Sequence, residues 1–341
     1  MVASAIGDSR AVRVGTWSAA RRRLAALAVA LALAAGLSVQ IGRIAGAFPD
    51  NVALFSSPAG PAAFPAAWSG RLASRVLAFR FVLRTEGERF SPQRVGAWTG
   101  VWFLLAALSL VALRGDSPWI YGHLLGGCAG ISLGYFLDWE LRVYPWDLPA
   151  YFFFTLGVAL YARGRALPLV LLVPVAVAFK ETALLLVILL AFLPGSVAKR
   201  TALVAAGLAL GFGAKLALDL WAGSDRLVLT MSTHHASELL LVTNLRYLRD
   251  AWASPYSPLL FNAGTLLALL LVPAAGTKAR ALRLLAGVFA LSVFLFGFIR
   301  EARVWFELLP VALFALELDG RAARSAAAGE SAAPELRTDS G

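Results

Sequence analysis

The sequence predicts an all-α fold: a polytopic transmembrane helix bundle of about ten membrane segments, with an interfacial amphipathic helix in its first external loop. Three observations predict it. First, 59% of the 341 residues are hydrophobic and 15% are charged, whereas soluble domains carry about 25% charged residues. Mean hydropathy is +0.73. Second, the apolar residues gather into ten runs, at 24–42, 95–113, 119–137, 147–162, 166–179, 181–193, 201–220, 258–275, 283–299 and 304–318. Third, Lys and Arg gather in the short links between runs, as the positive-inside rule expects of cytoplasmic loops. The net charge is +11. Its scatter between apolar runs, rather than on one soluble face, excludes a nucleic-acid surface. The single Cys128 lies in an apolar run, which excludes a disulfide framework or a cysteine zinc cluster.

Residues 1–23 read as a basic cytoplasmic N-terminus ending in Arg21, Arg22 and Arg23. The run Leu24 to Val39 is longer than a signal-peptide core. Arg43 interrupts before the small residues at 45–47, so the first helix is expected to be retained. The loop at 43–94 follows. Within it, "RLASRVLAFRFVLR" (71–84) sets Leu72, Val76, Phe79 and Leu83 on one helical stripe flanked by arginines. That pattern suits a helix in the headgroup layer, or one packed on the protein. In the third run, Gly122, Gly126, Gly130 and Gly134 recur every four residues, a stripe that admits a second helix at close range. Gly207 and Gly211 repeat the pattern.

The runs at 147–162, 166–179 and 181–193 fall short of the ~20 residues of a full crossing. Charge decides how they thread. The basic links are Arg114; Arg163 and Arg165; Lys199 and Arg200; Lys278, Arg280 and Arg283; and Arg321 and Arg324. With both termini inside, ten segments put all five in the cytoplasm, whereas one long helix over 166–193 would put Lys199, Arg200, Lys278, Arg280 and Arg283 outside. Lys180 and Glu181 therefore lie at a turn near the external face, between two short crossings or the arms of a re-entrant pair. The transmembrane domain is expected over 24–318, with a second long external loop at 221–257 and a disordered cytoplasmic tail at 319–341. The implied location is a membrane crossed several times, with both termini on the cytoplasmic side.

Residues able to do chemistry then collect on the external side. Asp50, in "FPDN", can form a turn or act as a general base on a hydroxyl. Asp147 can cap the helix that follows it, or draw a ligand to that helix end. Lys180 and Glu181 point to different helix faces. They either snorkel to the interface or serve a site, Lys180 as a phosphate ligand and Glu181 orienting it or a sugar hydroxyl. Arg300 and Arg303 can grip a phosphate, or join Glu307 in a structural network in which Arg303 and Glu307 pair at i,i+4. His234 and His235 lie in the long loop, which can fold over a substrate. A metal site there lacks supporting ligands. No Gly-rich phosphate loop or HExxH motif occurs.

"YPWDLPAYFFF", "FKETALLL" and "REARVWFELLP" look like recurring signatures of a set of bacterial multi-pass proteins. The layout over roughly 20–318 resembles the GT-C superfamily of integral-membrane glycosyltransferases. The resemblance implies transfer of a sugar from a polyprenyl-phosphate carrier to an envelope acceptor at the external leaflet. It implies Asp50 as base, and Lys180, Arg300 and Arg303 as candidate phosphate ligands by location. Asn51 follows Asp50 where many members carry a second acid. No cofactor is implied beyond the lipid-linked donor, and a divalent metal has no support in the sequence. Partners are membrane lipids, the lipid-linked donor and a glycan or glycolipid acceptor, with no nucleic acid. A transporter or flippase for a lipid-linked or anionic solute, and a non-catalytic envelope-assembly protein, are the alternatives.

Overall fold

The computed structural model describes residues 18–47, 77, 91–115, 117–137, 143–221, 241–252, 274, 276–296 and 305–331. The described residues form ten α-helices and no strand. They are α1 (Ala19–Ala47), α2 (Pro92–Arg114), α3 (Ile120–Leu137), α4 (Asp147–Ala162), α5 (Ala166–Phe179), α6 (Val187–Leu190), α7 (Val197–Trp221), α8 (Leu241–Trp252), α9 (Thr277–Phe296) and α10 (Leu308–Ser331). A 3-10 segment, Glu181–Leu186, joins α5 to α6. Three of these helices, α1, α2 and α7, are long and apolar enough to cross a membrane. The chain is thus helical and carries candidate transmembrane helices. The interfacial stripe residues Leu72, Val76, Phe79 and Leu83, the loop at 222–240 and the run at 258–273 lie outside the described residues.

Local chemistry explains the element ends. Ser91 caps α2 by accepting the Arg94 N–H at 3.4 Å, and Pro92 opens the helix where its missing donor costs nothing. Gly164 closes α4 with φ of 68°. Its N–H donates to Tyr161 O at 2.9 Å and the Arg165 N–H donates to Leu160 O at 2.9 Å. These two bonds tie off carbonyls the helix would leave bare, and the left-handed turn favours glycine.

Close approach explains how the helices pack. A Cβ on Gly96 or Gly100 of α2 would collide with Ser38 of α1, so the two helices meet backbone to backbone, antiparallel. On α3, a Cβ at Gly126 would meet Leu313 at 2.9 Å, one at Gly130 would meet Leu309 at 2.7 Å, and one at Gly134 would collide with Phe306. The residue numbers run in opposite senses, so α10 docks antiparallel along this stripe. The expected glycine stripe thus does what small residues do in membrane bundles. Gly122 alone does not take part, having only Trp119 of the preceding turn, at 3.8 Å. Helix α4 lies at the centre, against α2, α5 and α10.

The segment at 166–193 is not one helix. Lys180 is extended, with φ −159° and ψ 130°, and the chain beyond it tightens into the 3-10 segment. The two arms lie side by side. A Cβ on Gly211 of α7 would touch Leu184 of one arm and Val173 of the other, and one on Gly207 would touch Leu190 and Val187. The chain therefore doubles back at Lys180. The first arm has 14 residues, about 21 Å of helix, short of a hydrocarbon core of ~30 Å.

Four expectations change. Helix α10 runs through Ser331, past the tail boundary expected at 319. Helix α9 begins at Thr277, so Lys278, Arg280 and Arg283 lie on it rather than in a connector. Part of the long loop at 221–257 is helix α8, held where the Asn244 amide donates to Phe294 O at 2.6 Å. Asp147 supplies no side-chain cap to α4.

Candidate functional site

The two ends of the bundle differ in chemistry. At one pole lie the Lys180 break, the start of α4 and the start of α10. At the other lie the members of all five basic clusters.

At the first pole the ammonium of Lys180 closes on Oε1 of Glu307. Lys180 is 4% exposed and Glu307 1% exposed. The contact is an ion pair without hydrogen-bond alignment, and Oε2 of Glu307 accepts no hydrogen bond among the described residues. The pair joins the break in the α5–α6 hairpin to the turn before α10. Glu307 is held from a distant element, while Arg303, its expected i,i+4 partner, lies outside the described residues. The break is what makes this possible. An extended Lys180 still donates its N–H to Ala176 O at 3.0 Å and accepts from the Ala183 N–H at 3.1 Å. Its backbone is thus satisfied while its side chain leaves the helical track. Thr182, two residues on, buries a hydroxyl that meets no partner among the described residues.

Each member of the pair follows an aromatic residue in the chain, and both aromatics pack on further rings. Phe179, preceding Lys180, meets Trp102 at 5.2 Å and Phe153 at 4.9 Å between ring centroids. Trp98 meets Trp102 at 5.5 Å, and its indole N–H donates to Pro145 O at 3.0 Å. Phe306, preceding Glu307, meets Tyr135 edge-on at 5.0 Å. The Tyr135 hydroxyl donates to Oδ2 of Asp147 at 3.4 Å. Asp147 is buried and also accepts the Tyr144 N–H at 3.3 Å. Its carboxylate thus turns back toward the preceding loop instead of forward onto α4. The structure brings Lys180 and Asp147 to one pole through this chain of contacts. Glu181 is half-buried at the start of the 3-10 segment. Asp50, His234, His235, Arg300 and Arg303 lie outside the described residues.

Helix α7 adds a second buried pair to this pole, Lys215 with Asp219 at i,i+4. Both continue the stripe of Gly207 and Gly211 that faces the hairpin. Lys215 follows Gly211 by one turn, about 6 Å, which brings it to the level of the break.

No family model, curated protein or solved structure matches this chain.

The opposite pole holds a cluster that the sequence reading passed over. Glu317, 0% exposed, receives Arg114, Ser117, His123 and Arg321. The Ser117 hydroxyl donates to Oε1 at 2.8 Å, and His123 Nε2 hydrogen-bonds to Oε2 at 2.8 Å. Arg283 pairs with Asp319 at 2.6 Å, Lys278 donates to Ala162 O at 2.8 Å, and Arg163 donates to Leu113 O. Arg114 also lies 5.4 Å from the centre of the Phe314 ring. A carboxylate inside the last apolar run, one turn before Arg321, was the available signal. Every polar group at Glu317 has a partner, so that cluster reads as structure, although the buried Tyr161 hydroxyl at the same pole has none among the described residues. The Lys180 pole has buried acceptor and donor capacity left over, and is the candidate site.

Proposed function

We propose that this chain is a GT-C-type membrane glycosyltransferase of about ten segments, moving a sugar from a polyprenyl-phosphate donor to an envelope acceptor at the external face. The observation that carries this is the buried Lys180–Glu307 pair at a non-helical break, joined by aromatic contacts to Asp147, at the pole opposite the basic clusters. Ionisable groups at membrane depth face partners or substrate paths. The positive-inside rule makes the basic pole cytoplasmic and the Lys180 pole external. Donors of this kind are used at that face in the superfamily the layout resembles. Asp50, placed by sequence just after the first run, is the proposed base. Arg300 and Arg303 are the proposed phosphate ligands, with His234 and His235 in a loop over the substrate.

The test compares envelope glycans by mass spectrometry in wild type, a deletion strain and an Asp50→Asn strain. A glycan lost in the deletion and not restored by Asp50→Asn is expected. An unchanged glycan profile in the deletion sinks the proposal.

A second reading, a lipid-linked solute flippase, is favoured by the helix interruption at Lys180, because discontinuous helices form transporter sites. Reconstituted vesicles separate the two: a transferase leaves a new covalent product, and a flippase moves the lipid unchanged.

A further inference from the structure

We propose that the Lys180–Glu307 node is the sugar subsite of this protein, in which Glu307 and Thr182 receive the sugar hydroxyls and Lys180 is a positioning residue rather than the phosphate ligand. The proposal rests on the transferase reading above and narrows it.

Charge comes first. The Lys180 ammonium is spent on Oε1 of Glu307 inside a buried pair. Splitting such a pair to admit a phosphate would leave a second anion, Glu307, buried beside the first, which low-dielectric surroundings disfavour strongly. A neutral group rich in hydroxyls carries no such penalty.

Capacity comes second. A carboxylate accepts through both oxygens, yet Oε2 of Glu307 is buried and accepts nothing among the described residues. The Thr182 hydroxyl, two residues from Lys180, is buried and unpartnered there too. The indole N–H of Trp102, whose ring meets that of Phe179, is a third such group. Buried polar groups are almost always satisfied, so open groups at Glu307, at Thr182 and, one ring contact away, at Trp102 suit a ligand that supplies both donors and acceptors. A sugar hydroxyl does both.

Surroundings come third. Phe179, next to Lys180 in the chain, packs on Trp102 and Phe153, and Phe306, next to Glu307, packs on Tyr135. Binding sites for organic ligands are mostly apolar and aromatic, with a few placed polar groups. Lys180, held in extended backbone at the break, fixes Glu307 from a different element, and so sets where Oε2 points.

The experiment uses the full chain in lipid nanodiscs. The probes are undecaprenyl phosphate and its glucose- and mannose-linked forms, and binding is measured for each. The readout is the sugar increment, the ratio of affinity for a sugar-linked lipid to affinity for undecaprenyl phosphate alone. Wild type is expected to show an increment for at least one sugar. Thr182→Val leaves no partner group stranded and keeps the side-chain shape, so it isolates the hydroxyl from folding. It is expected to lower the increment. Lys180→Met/Glu307→Gln removes both charges together and is expected to cut the increment about ten-fold or more, the scale of hydrogen bonds to a charged group. Its affinity for undecaprenyl phosphate alone is expected to stay at the wild-type value. An increment retained in both variants overturns the subsite, as does a double variant that loses undecaprenyl phosphate itself, which returns Lys180 to the phosphate. A wild type with no increment overturns the subsite while leaving the transferase proposal standing. A wild type that binds none of the three lipids overturns the transferase proposal and the subsite with it.

Discussion

Glu317 shows how much one buried carboxylate can organise. It gathers Arg114 from the end of α2, Ser117 from the link to α3, His123 from the first turn of α3 and Arg321 from its own helix. Glu317→Ala leaves Arg114 and His123 buried with no acceptor, and is expected to lose about 3–5 kcal/mol, the usual cost of breaking a buried pair from one side. Arg321 has a side chain 44% exposed, so Arg321→Ala is expected to lose less than about 1 kcal/mol. Thermal unfolding in detergent ranks the two, and equal losses would refute this hierarchy. At the other pole, Lys180→Met is expected to destabilise the protein more than Lys180→Met combined with Glu307→Met. The single change strands a buried anion and the double change does not. Lys180 and Glu181 were legible in the sequence because two charges interrupt an apolar run. Glu307 was visible only as a local partner of Arg303, because i,i+4 spacing is the one pairing a linear sequence offers. Its contact with Lys180 depends on how the last helix returns to the hairpin.

Among the elements, the glycine stripe of α3 divides into working and idle positions. Gly130→Leu puts a side chain where Leu309 already sits and is expected to cost about 1–3 kcal/mol through overpacking. Gly122→Ala meets only Trp119 at ordinary contact distance and is expected to be tolerated. Unfolding midpoints for the two variants check this, and a Gly122→Ala loss as large as that of Gly130→Leu would count against it. Gly164→Ala forces a side chain into left-handed backbone at the end of α4, for an expected cost of about 1 kcal/mol. The helices over 147–162 and 166–179 match their apolar runs to the residue, because Asp147, Gly164, Arg165 and Lys180 mark their ends chemically. The end of α10 was not legible. Its Ala-rich, charged continuation reads as solvated tail until Glu317, Asp319 and Arg321 are seen holding it to α2, α3 and α9.

For the whole molecule, the sorting of charge into two poles makes a labelling prediction. With Cys128 replaced by serine, single cysteines at Lys199 and Arg324 are expected to be shielded from an impermeant maleimide in intact cells. A cysteine at the exposed Asp250 of α8 is expected to react. Labelling of Lys199 and Asp250 from the same side would refute the separation of the poles. The two poles have one more property in common, and it concerns synthesis. Both buried acids that neutralise them, Glu307 and Glu317, come with the last helix, and Glu317 lies 203 residues after Arg114. Chains emerge from the ribosome N-terminus first. The Lys180 hairpin and the end of α2 are therefore made before their counter-charges exist. Two cationic sites stay unsatisfied until α10 arrives to hold both ends of the bundle.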